Sequence, residues 1–324
     1  MSGPGALTGA DTDRLSELAG RLSVESYLLN VLGPGQDRLG PQGALWLAEL
    51  RRQVASFTLQ NLLRDEELFH ALERLSAEGV DLLLLKGAAL RLERQDMAGR
   101  FQCDVDVLVR RSDLERAEAV LCEMGFSLVE SFLEREALLA QHFHFGFERQ
   151  NAVIEVHWDL DAASPRGFLD RFWAASRAVE RDGRTYRVPS PEHQLLFGCL
   201  HLSRHEFYGG LRWLADLALL LPLPAEARTH FFNEAAAWPR RAIYCPLWLL
   251  SLFGVPGAEE LAAGFELDRV ERAVLPRVLA ALLLAEPWLG LPGWRAGKAL
   301  REWLFSEQPL LPLLARGATR TYMD

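Results

Sequence analysis

The 324-residue sequence lacks any long uncharged apolar run and any leader-like N-terminus. Its first residues, MSGPGALTGADTDR, contain neither the basic region nor the apolar core of a secretory signal. A run of about 18 apolar residues, the length needed to cross a bilayer as a helix, does not occur. We therefore expect a cytoplasmic protein with no membrane partner.

Cysteine is scarce and scattered. Cys103, Cys122, Cys199 and Cys245 lie far apart in the chain, without a CxxC pair. This spacing supports neither a disulfide framework nor a zinc knuckle, and it favours isolated reduced thiols.

An excess of positive charge is also missing, because 44 acidic residues outnumber 35 lysines and arginines and give a net charge of −9. Proteins that bind long nucleic acids need a positive surface to displace counterions. We therefore do not expect a long nucleic acid as substrate or partner.

Apolar residues make up 49% of the chain and charged residues 24%, as in ordinary globular proteins. The pattern along the chain predicts three parts: an N-terminal helical segment over 1–79, an α/β core over 80–189, and a C-terminal helical domain over 190–324. We find no fixed repeat.

Helical spacing of apolar residues marks both ends of the chain. In the N-terminal part, glycines and prolines predict a loop over 33–43, and a helix over 45–78 should end at Gly79. In the C-terminal part, Ser190-Pro191-Glu192 predicts a helix start. Further helices are predicted at 225–237, 243–253, 267–284 and 294–304.

The middle of the chain has short apolar runs that predict strands at 80–85, 105–109, 142–149 and 153–158. Gln150-Asn151 is a plausible hairpin turn between the last two. Alternation gives this pair one apolar face, with Phe145 and Val156, and one polar face, with Glu155 and His157.

Asp104 and Asp106 stand at the start of the second predicted strand. Because side chains alternate along a strand, both carboxylates should share one face, where they could bind a divalent cation. A D-x-D pair also occurs by chance at solvated strand ends, so spacing alone does not decide between these interpretations.

Three neighbouring features favour the metal site. Lys86-Gly87 lies at a strand-to-helix turn, where glycine permits close approach of a phosphate and lysine supplies charge. Arg100 precedes the acids and could meet a triphosphate, or it could pair with an acid nearby. Glu155 lies in an otherwise apolar strand, where a carboxylate needs a partner.

Three stretches together resemble the uncharacterised nucleotidyltransferases of the DNA polymerase β-like superfamily: Lys86-Gly87-Ala88-Ala89-Leu90, the run from Arg100 to Val109, and Ile154-Glu155-Val156-His157-Trp158. Downstream, Pro191-Glu192, His201 and the run from Leu211 to Asp216 resemble the helical C-terminal part of that family.

The resemblance implies an α+β fold in which a small mixed β-sheet is flanked by helices, with an N-terminal helical segment and a C-terminal helical bundle. It implies that Asp104, Asp106 and Glu155 are catalytic and hold two Mg²⁺ ions about 4 Å apart. Lys86, Gly87 and Arg100 would bind the NTP substrate.

The sequence departs from the wider superfamily at two positions. Lys86-Gly87-Ala88 replaces the usual Gly-Ser pair, so the serine hydroxyl is missing and Lys86 takes its place. Glu155 stands where aspartate is commoner. These departures leave open a second interpretation, a weakly active or inactive binding module of the same fold, similar to an antitoxin.

The histidines have alternative interpretations. His157 shares the face of Glu155 and is expected to orient that carboxylate rather than bind metal itself. His142 and His144 could form a metal pair, although hydrogen-bonded surface histidines are commoner. His201 and Arg212 are candidates for lining a substrate cleft, although Arg212 could simply pair with Asp216 on one helix.

The function that we predict is Mg²⁺-dependent transfer of an NMP unit, with AMP as the expected unit. The donor is an NTP, and the acceptor is a hydroxyl or phosphate on a small molecule or a protein.

Overall fold

The computed structural model describes residues 7–97, 99–129, 135–150, 152–161, 164–181, 183–205, 210–269, 271 and 275. The chain divides into two compact units, Met1–Ser190 and Pro191–Asp324. The further division at residue 79 stays a prediction.

Three helices open the first unit: α1 (Gly9–Leu22), α2 (Glu25–Leu32) and α3 (Gly40–Ala77). The start of α1 is fixed by a capping box, in which Thr8 and Asp11 satisfy each other's free backbone donors. Trp46, Leu47 and Leu50 of α3 form a small buried cluster with apolar side chains of the first two helices.

The loop predicted for 33–43 is wrong. The residues Gly33–Arg38 form a 3₁₀ helix, and α3 then begins at Gly40. Pro34 and Pro41 each stand in the first turn of a helix, where the missing amide hydrogen costs nothing. The predicted stop is confirmed, since Gly79 takes the positive φ of +77° that glycine adopts after a helix.

A five-stranded sheet forms the centre of the first unit, with strand order β1-β2-β5-β4-β3. The strands are β1 (Leu82–Leu84), β2 (Val105–Val109), β3 (Ser127–Leu128), β4 (His144–Arg149) and β5 (Ala152–His157). Strands β2 and β5 run parallel and the other pairs are antiparallel, so the sheet is mixed. All four predicted strands are therefore confirmed, with ends that differ by up to two residues.

Three helices accompany the sheet: α4 (Lys86–Glu93), α5 (Leu114–Glu123) and α6 (Arg135–Gln141). One face of the sheet is apolar, as alternation predicts, and contributes Val107, Phe147 and Val156 to the main core. Leucines of α3 and α5, including Leu72 and Leu121, belong to the same core. The architecture is α+β, a small mixed sheet flanked by helices.

The first unit ends with α7 (Phe168–Ala174) and a two-stranded hairpin, β6 (Arg177–Arg181) and β7 (Arg184–Val188). No pattern in the sequence predicts this hairpin. Most of its residues are exposed, so only Tyr186 and Val188 are buried and the apolar alternation is weak.

The second unit is helical in its described part. Its helices are α8 (Pro191–Arg204), α9 (Gly210–Ala218), α10 (Ala225–Ala235), α11 (Arg240–Leu252) and α12 (Ala258–Ala263). The helix start at Pro191 and the helices predicted near 225 and 243 are confirmed. The helices predicted for 267–284 and 294–304 lie outside the described residues, apart from 267–269, 271 and 275. Among the described helices, none is long and apolar enough to cross a membrane.

Candidate active site

The parallel pairing of β2 and β5 brings two carboxylates together. Asp106 lies directly opposite Glu155 in the register of the two strands. Directly opposed residues point to the same face of a sheet, so both side chains leave the apolar core and share the polar face. His157, two residues further along β5, lies on this face as well.

These three side chains form a compact cluster. One ligand atom from each of Asp106, Glu155 and His157 lies within 4.8 Å of the others. The Nε2 atom of His157 is 3.0 Å from Oδ1 of Asp106 and 3.4 Å from Oε2 of Glu155. His157 is 1% exposed and Asp106 5%, whereas the side chain of Glu155 keeps 28% of its surface exposed. Glu155 is thus the member that solvent reaches.

Lys86 completes the cluster from the turn between β1 and α4. Its Nζ lies 2.5 Å from Oδ1 of Asp106 and 3.7 Å from Oε2 of Glu155. The backbone of Lys86 has a positive φ of 47°, which is uncommon for a residue with a side chain. The amide of Leu85 donates to the carbonyl of Asp106 at 3.0 Å and so ties this turn to β2.

The surroundings of Lys86 and Asp106 favour the charged form of both side chains. Burial by itself lowers the pKa of the Lys86 ammonium, but the charges of Asp106 and Glu155 outweigh burial and raise it. Burial likewise acts to raise the pKa of Asp106, yet the Lys86 charge and the His157 hydrogen bond hold that pKa well below its usual range. Lysine and carboxylate are therefore both charged at neutral pH.

Lysine is rare in this chain, which uses arginine almost everywhere else. Of the 35 lysines and arginines, only Lys86 and Lys298 are lysines. An ammonium is a compact, mobile charge with three donors, whereas a guanidinium is a rigid planar fork. The choice of lysine at residue 86 is a sequence signal for this site.

Gly87 makes room for Arg100. A Cβ atom at Gly87 would lie 2.4 Å from Nη1 of Arg100, so the guanidinium packs directly against this glycine. Arg100 is buried, and its Nη1 donates to the carbonyl of Phe101 at 3.2 Å. The structure therefore brings Arg100 to the turn at Lys86 and Gly87 as a buried charge beside the start of α4.

Asp104 is not one of the three clustered residues, but its charge also helps to raise the pKa of Lys86. It precedes the first residue of β2 and is half-buried. It is one of the residues that line a shallow surface cleft, together with Arg64, Asp65 and Arg91. The two acids of the D-x-D pair therefore have different surroundings, and Asp106 is the more deeply buried of the two.

His144 and His157 stack, with ring centroids 4.8 Å apart. Burial and the neighbouring His157 lower the pKa of His144 to about 4, so this ring is neutral at pH 7. Nδ1 of His157 is buried and has no hydrogen-bond partner among the described residues. Because a buried N–H without an acceptor is costly, we assign the proton of His157 to Nε2, which donates to Asp106.

Over residues 8–252 the sequence matches the family model described as uncharacterised nucleotidyltransferase. The chain belongs to the uncharacterised nucleotidyltransferase family. Its enzyme class is therefore nucleotidyltransferase, as the sequence analysis predicts. No curated protein matches the chain.

Solved structures similar to this nucleotidyltransferase include two of ANT(2'')-Ia. The antibiotic-resistance factor in solution is 18% identical over 68% of this chain and 96% of that chain, with a TM-score of 0.33. The crystal structure of ANT(2'')-Ia in complex with adenylyl-2''-tobramycin is 19% identical over 65% of this chain and 96% of that chain, with a TM-score of 0.31. An antigenic nucleotidyltransferase-like protein from Paracoccidioides brasiliensis is 17% identical over 63% of this chain and 93% of that chain, with a TM-score of 0.35.

The two predicted site residues of the second unit lie on its helices. His201 is on α8, and its ring centroid is 4.4 Å from that of His205 and 4.5 Å from that of Trp213. Arg212 is on α9, next to Trp213 in the sequence. The role of His201 and Arg212 towards a substrate stays a prediction.

His142 and His144, for which a metal pair was the less favoured interpretation, do not belong to the group that could hold a metal among the described residues. Three residues near Asp104 were not predicted from the sequence, namely Asp65, Arg91 and Gln102. They are ordinary polar residues on helices and a loop, and no motif or spacing marks them.

Proposed function

We propose that this nucleotidyltransferase is Mg²⁺-dependent and transfers an NMP unit, AMP in the first instance, from an NTP. The acceptor is a hydroxyl or phosphate of a small molecule or a protein. Family membership supports the reaction class. The observation that carries the proposal is the meeting of Asp106, Glu155 and Lys86 on the polar face of the sheet.

The residues present fit a divalent cation of the Mg²⁺ type. Asp106 and Glu155 offer carboxylate oxygens, the donors that Mg²⁺ prefers, and Asp104 adds a third carboxylate two residues before Asp106. When bound, Mg²⁺ neutralises charge on the triphosphate and lowers the pKa of an attacking hydroxyl.

Lys86 and the start of α4 would bind the phosphates. The first amides of a helix lack intrahelical acceptors and carry the positive end of the helix dipole. Lys86 is the first residue of α4, and its ammonium, with 21% of the side chain exposed, lies between the carboxylates of Asp106 and Glu155. Arg100 adds a buried positive charge behind Gly87. This arrangement favours an anionic ligand.

His157 would keep Asp106 in one orientation. Its Nε2 donates to the carboxylate from a ring that is almost fully buried, so the ring has little freedom to turn. A carboxylate held in one orientation accelerates a reaction more than a mobile one, because it does not need to reorient during the reaction. We therefore assign His157 a positioning role.

The test measures transfer from α-phosphate-labelled NTPs with the full chain, Mg²⁺ and a panel of hydroxyl-bearing small molecules and candidate proteins. Wild-type protein should label at least one acceptor, and ATP should be the best donor. Asp106→Asn and Glu155→Gln should each reduce labelling at least a hundredfold, because each removes a charged oxygen ligand.

Matched controls carry the same chemical change at exposed positions, Asp170→Asn and Glu123→Gln. They should label like the wild type. Equal labelling by Asp106→Asn and Asp170→Asn would contradict the proposal. A wild-type chain that binds no NTP in Mg²⁺ by calorimetry, and that instead purifies in a fixed ratio with another protein, would favour the antitoxin-like binding module.

A further inference from the structure

The segment that carries Asp104 into β2 is fastened to α3 at its beginning. The side-chain amide of Asn61, itself 1% exposed, donates to the carbonyl of Arg100 at 2.8 Å. Next to it, Gly99 packs so closely on α3 that a Cβ atom there would lie 2.4 Å from Cγ1 of Val54. Residues 99 and 100 therefore have a fixed position against the helix.

The end of the same segment is held by Gln102. Its Nε2 donates to the backbone carbonyl of Asp104 at 2.6 Å, and the glutamine is buried. Asp104 lies before the first residue of β2, so it is outside the paired part of the strand. A side-chain hydrogen bond to its carbonyl restricts the backbone at this residue and thereby the direction of the carboxylate.

Gln102 is in turn held by an ion pair between α3 and α4. Nη1 of Arg91 donates to Oε1 of Gln102 at 3.3 Å. The two terminal nitrogens of Arg91 also bind the two carboxylate oxygens of Asp65, at 3.1 and 2.5 Å. Both side chains of the pair are mostly buried. This bidentate geometry fixes the orientation of the guanidinium plane, which a single hydrogen bond would not do.

We propose that Asp65, Arg91 and Gln102 are positioning residues that orient Asp104 as a metal ligand. The inference rests on the proposed function, since it assigns a purpose to Asp104 in that site. Lys86 and His157 contact the carboxylate of Asp106 directly, whereas Gln102 acts on Asp104 through its backbone carbonyl. Such outer partners of a metal ligand commonly change metal affinity or activity about tenfold or more when they are removed.

The variant Gln102→Glu isolates the critical contact. It keeps the shape of the side chain and an oxygen acceptor for Arg91, but it removes the donor to the carbonyl of Asp104. The added negative charge by itself would strengthen cation binding, so weaker binding reports lost positioning. We expect the Kd for Mn²⁺, measured by electron paramagnetic resonance in the presence of an NTP, to rise about tenfold.

Two further readouts separate positioning from a merely structural role. The Mg²⁺ concentration for half-maximal transfer should rise with the Kd, while kcat at saturating Mg²⁺ changes much less. The variant should unfold at a lower midpoint than the wild type but still in one cooperative transition, because a buried hydrogen bond is lost without loss of the fold. In an Asp104→Asn background, Gln102→Glu should weaken Mn²⁺ binding no further, because the carboxylate that it positions is gone.

The control is Gln60→Glu, the same change at an exposed position of α3, and it should not weaken Mn²⁺ binding. If Gln102→Glu does not fold, Arg91→Lys replaces it, because lysine keeps the charge but loses the bidentate contact. The inference is overturned if the variant binds Mn²⁺ as tightly as the wild type while Asp106→Asn loses binding. Absence of Mn²⁺ binding by the wild type would overturn the proposed function and this inference together.

Discussion

Lys86→Met is the substitution whose effect on stability follows most directly from the structure. It removes the ammonium that lies 2.5 Å from Asp106 and leaves that carboxylate beside His157 and the carboxylate of Glu155. Breaking a buried ion pair from one side costs about 3–5 kcal/mol. Because Lys86 keeps 21% of its side-chain surface exposed, we expect the lower end, about 3 kcal/mol at pH 7.

The pH dependence of this effect has a defined sign. The pKa of Asp106 is lowered by folding, so the stability it contributes is present above its unfolded pKa and is lost as pH falls through the folded value. The pKa of Lys86 is raised, so its contribution is present below its unfolded pKa and is lost as pH rises through the folded value. The difference between Lys86→Met and the wild type should therefore be largest between about pH 5 and pH 9.

A double-mutant cycle with Asp106→Asn measures the interaction itself by urea unfolding in metal-free buffer. Lys86→Met should cost about 1 kcal/mol or less when residue 106 is neutral, so the coupling free energy should be about 2 kcal/mol. Arg52→Met, which removes the exposed partner of Glu49, is the control and should cost under about 1 kcal/mol. Additive effects of Lys86→Met and Asp106→Asn would show that the two charges do not stabilise each other in the folded protein.

Two further predictions concern the surroundings of the cluster. Gly87→Ala should destabilise the protein by about 1–3 kcal/mol and weaken NTP binding measured by calorimetry, because the new Cβ would displace the guanidinium of Arg100. Gly35→Ala, with no atom within 4 Å of the new Cβ, is the control, and equal behaviour of the two variants would contradict this packing. His144→Gln should make the free energy of unfolding fall less as the solution becomes acidic. Because the pKa of His144 is lowered to about 4 in the folded protein, its protonation favours the unfolded state as pH falls, by about 2 kcal/mol between pH 7.5 and pH 5. Urea unfolding at both pH values tests this, and an unchanged pH dependence in the variant would show that His144 is not the group concerned.

Much of the fold follows from patterns that act over a few residues. The strand at Val105–Val109 is short, apolar and bounded by polar residues, so periodicity is enough to predict it. Around Pro34 and Pro41 the sequence pattern predicted a loop where the structure has helix starts. Glycine and proline are common both in loops and at the first positions of helices, so only the backbone hydrogen bonds of the folded chain distinguish the two.

The candidate site was predictable only in part, for a physical reason. Alternation places Asp106 and Glu155 each on the polar face of its own strand, but it does not say that β2 and β5 are neighbours or that these residues are opposed. Pairing between strands depends on contacts far apart in the chain. The contacts from Asp65 through Arg91 to Gln102 likewise join residues of two helices and a loop. The spacing of residues along the sequence therefore does not predict them.

A crystal structure of the full chain with Mn²⁺ and a non-hydrolysable NTP analogue would show whether Asp106 and Glu155 bind the metal of a nucleotide complex. We expect an anomalous scattering peak at about 2.2 Å from carboxylate oxygens of Asp106, Glu155 and Asp104, with the triphosphate lying along Lys86 and the start of α4. A nucleotide bound elsewhere, or manganese that makes no contact with Asp106 and Glu155, would contradict it.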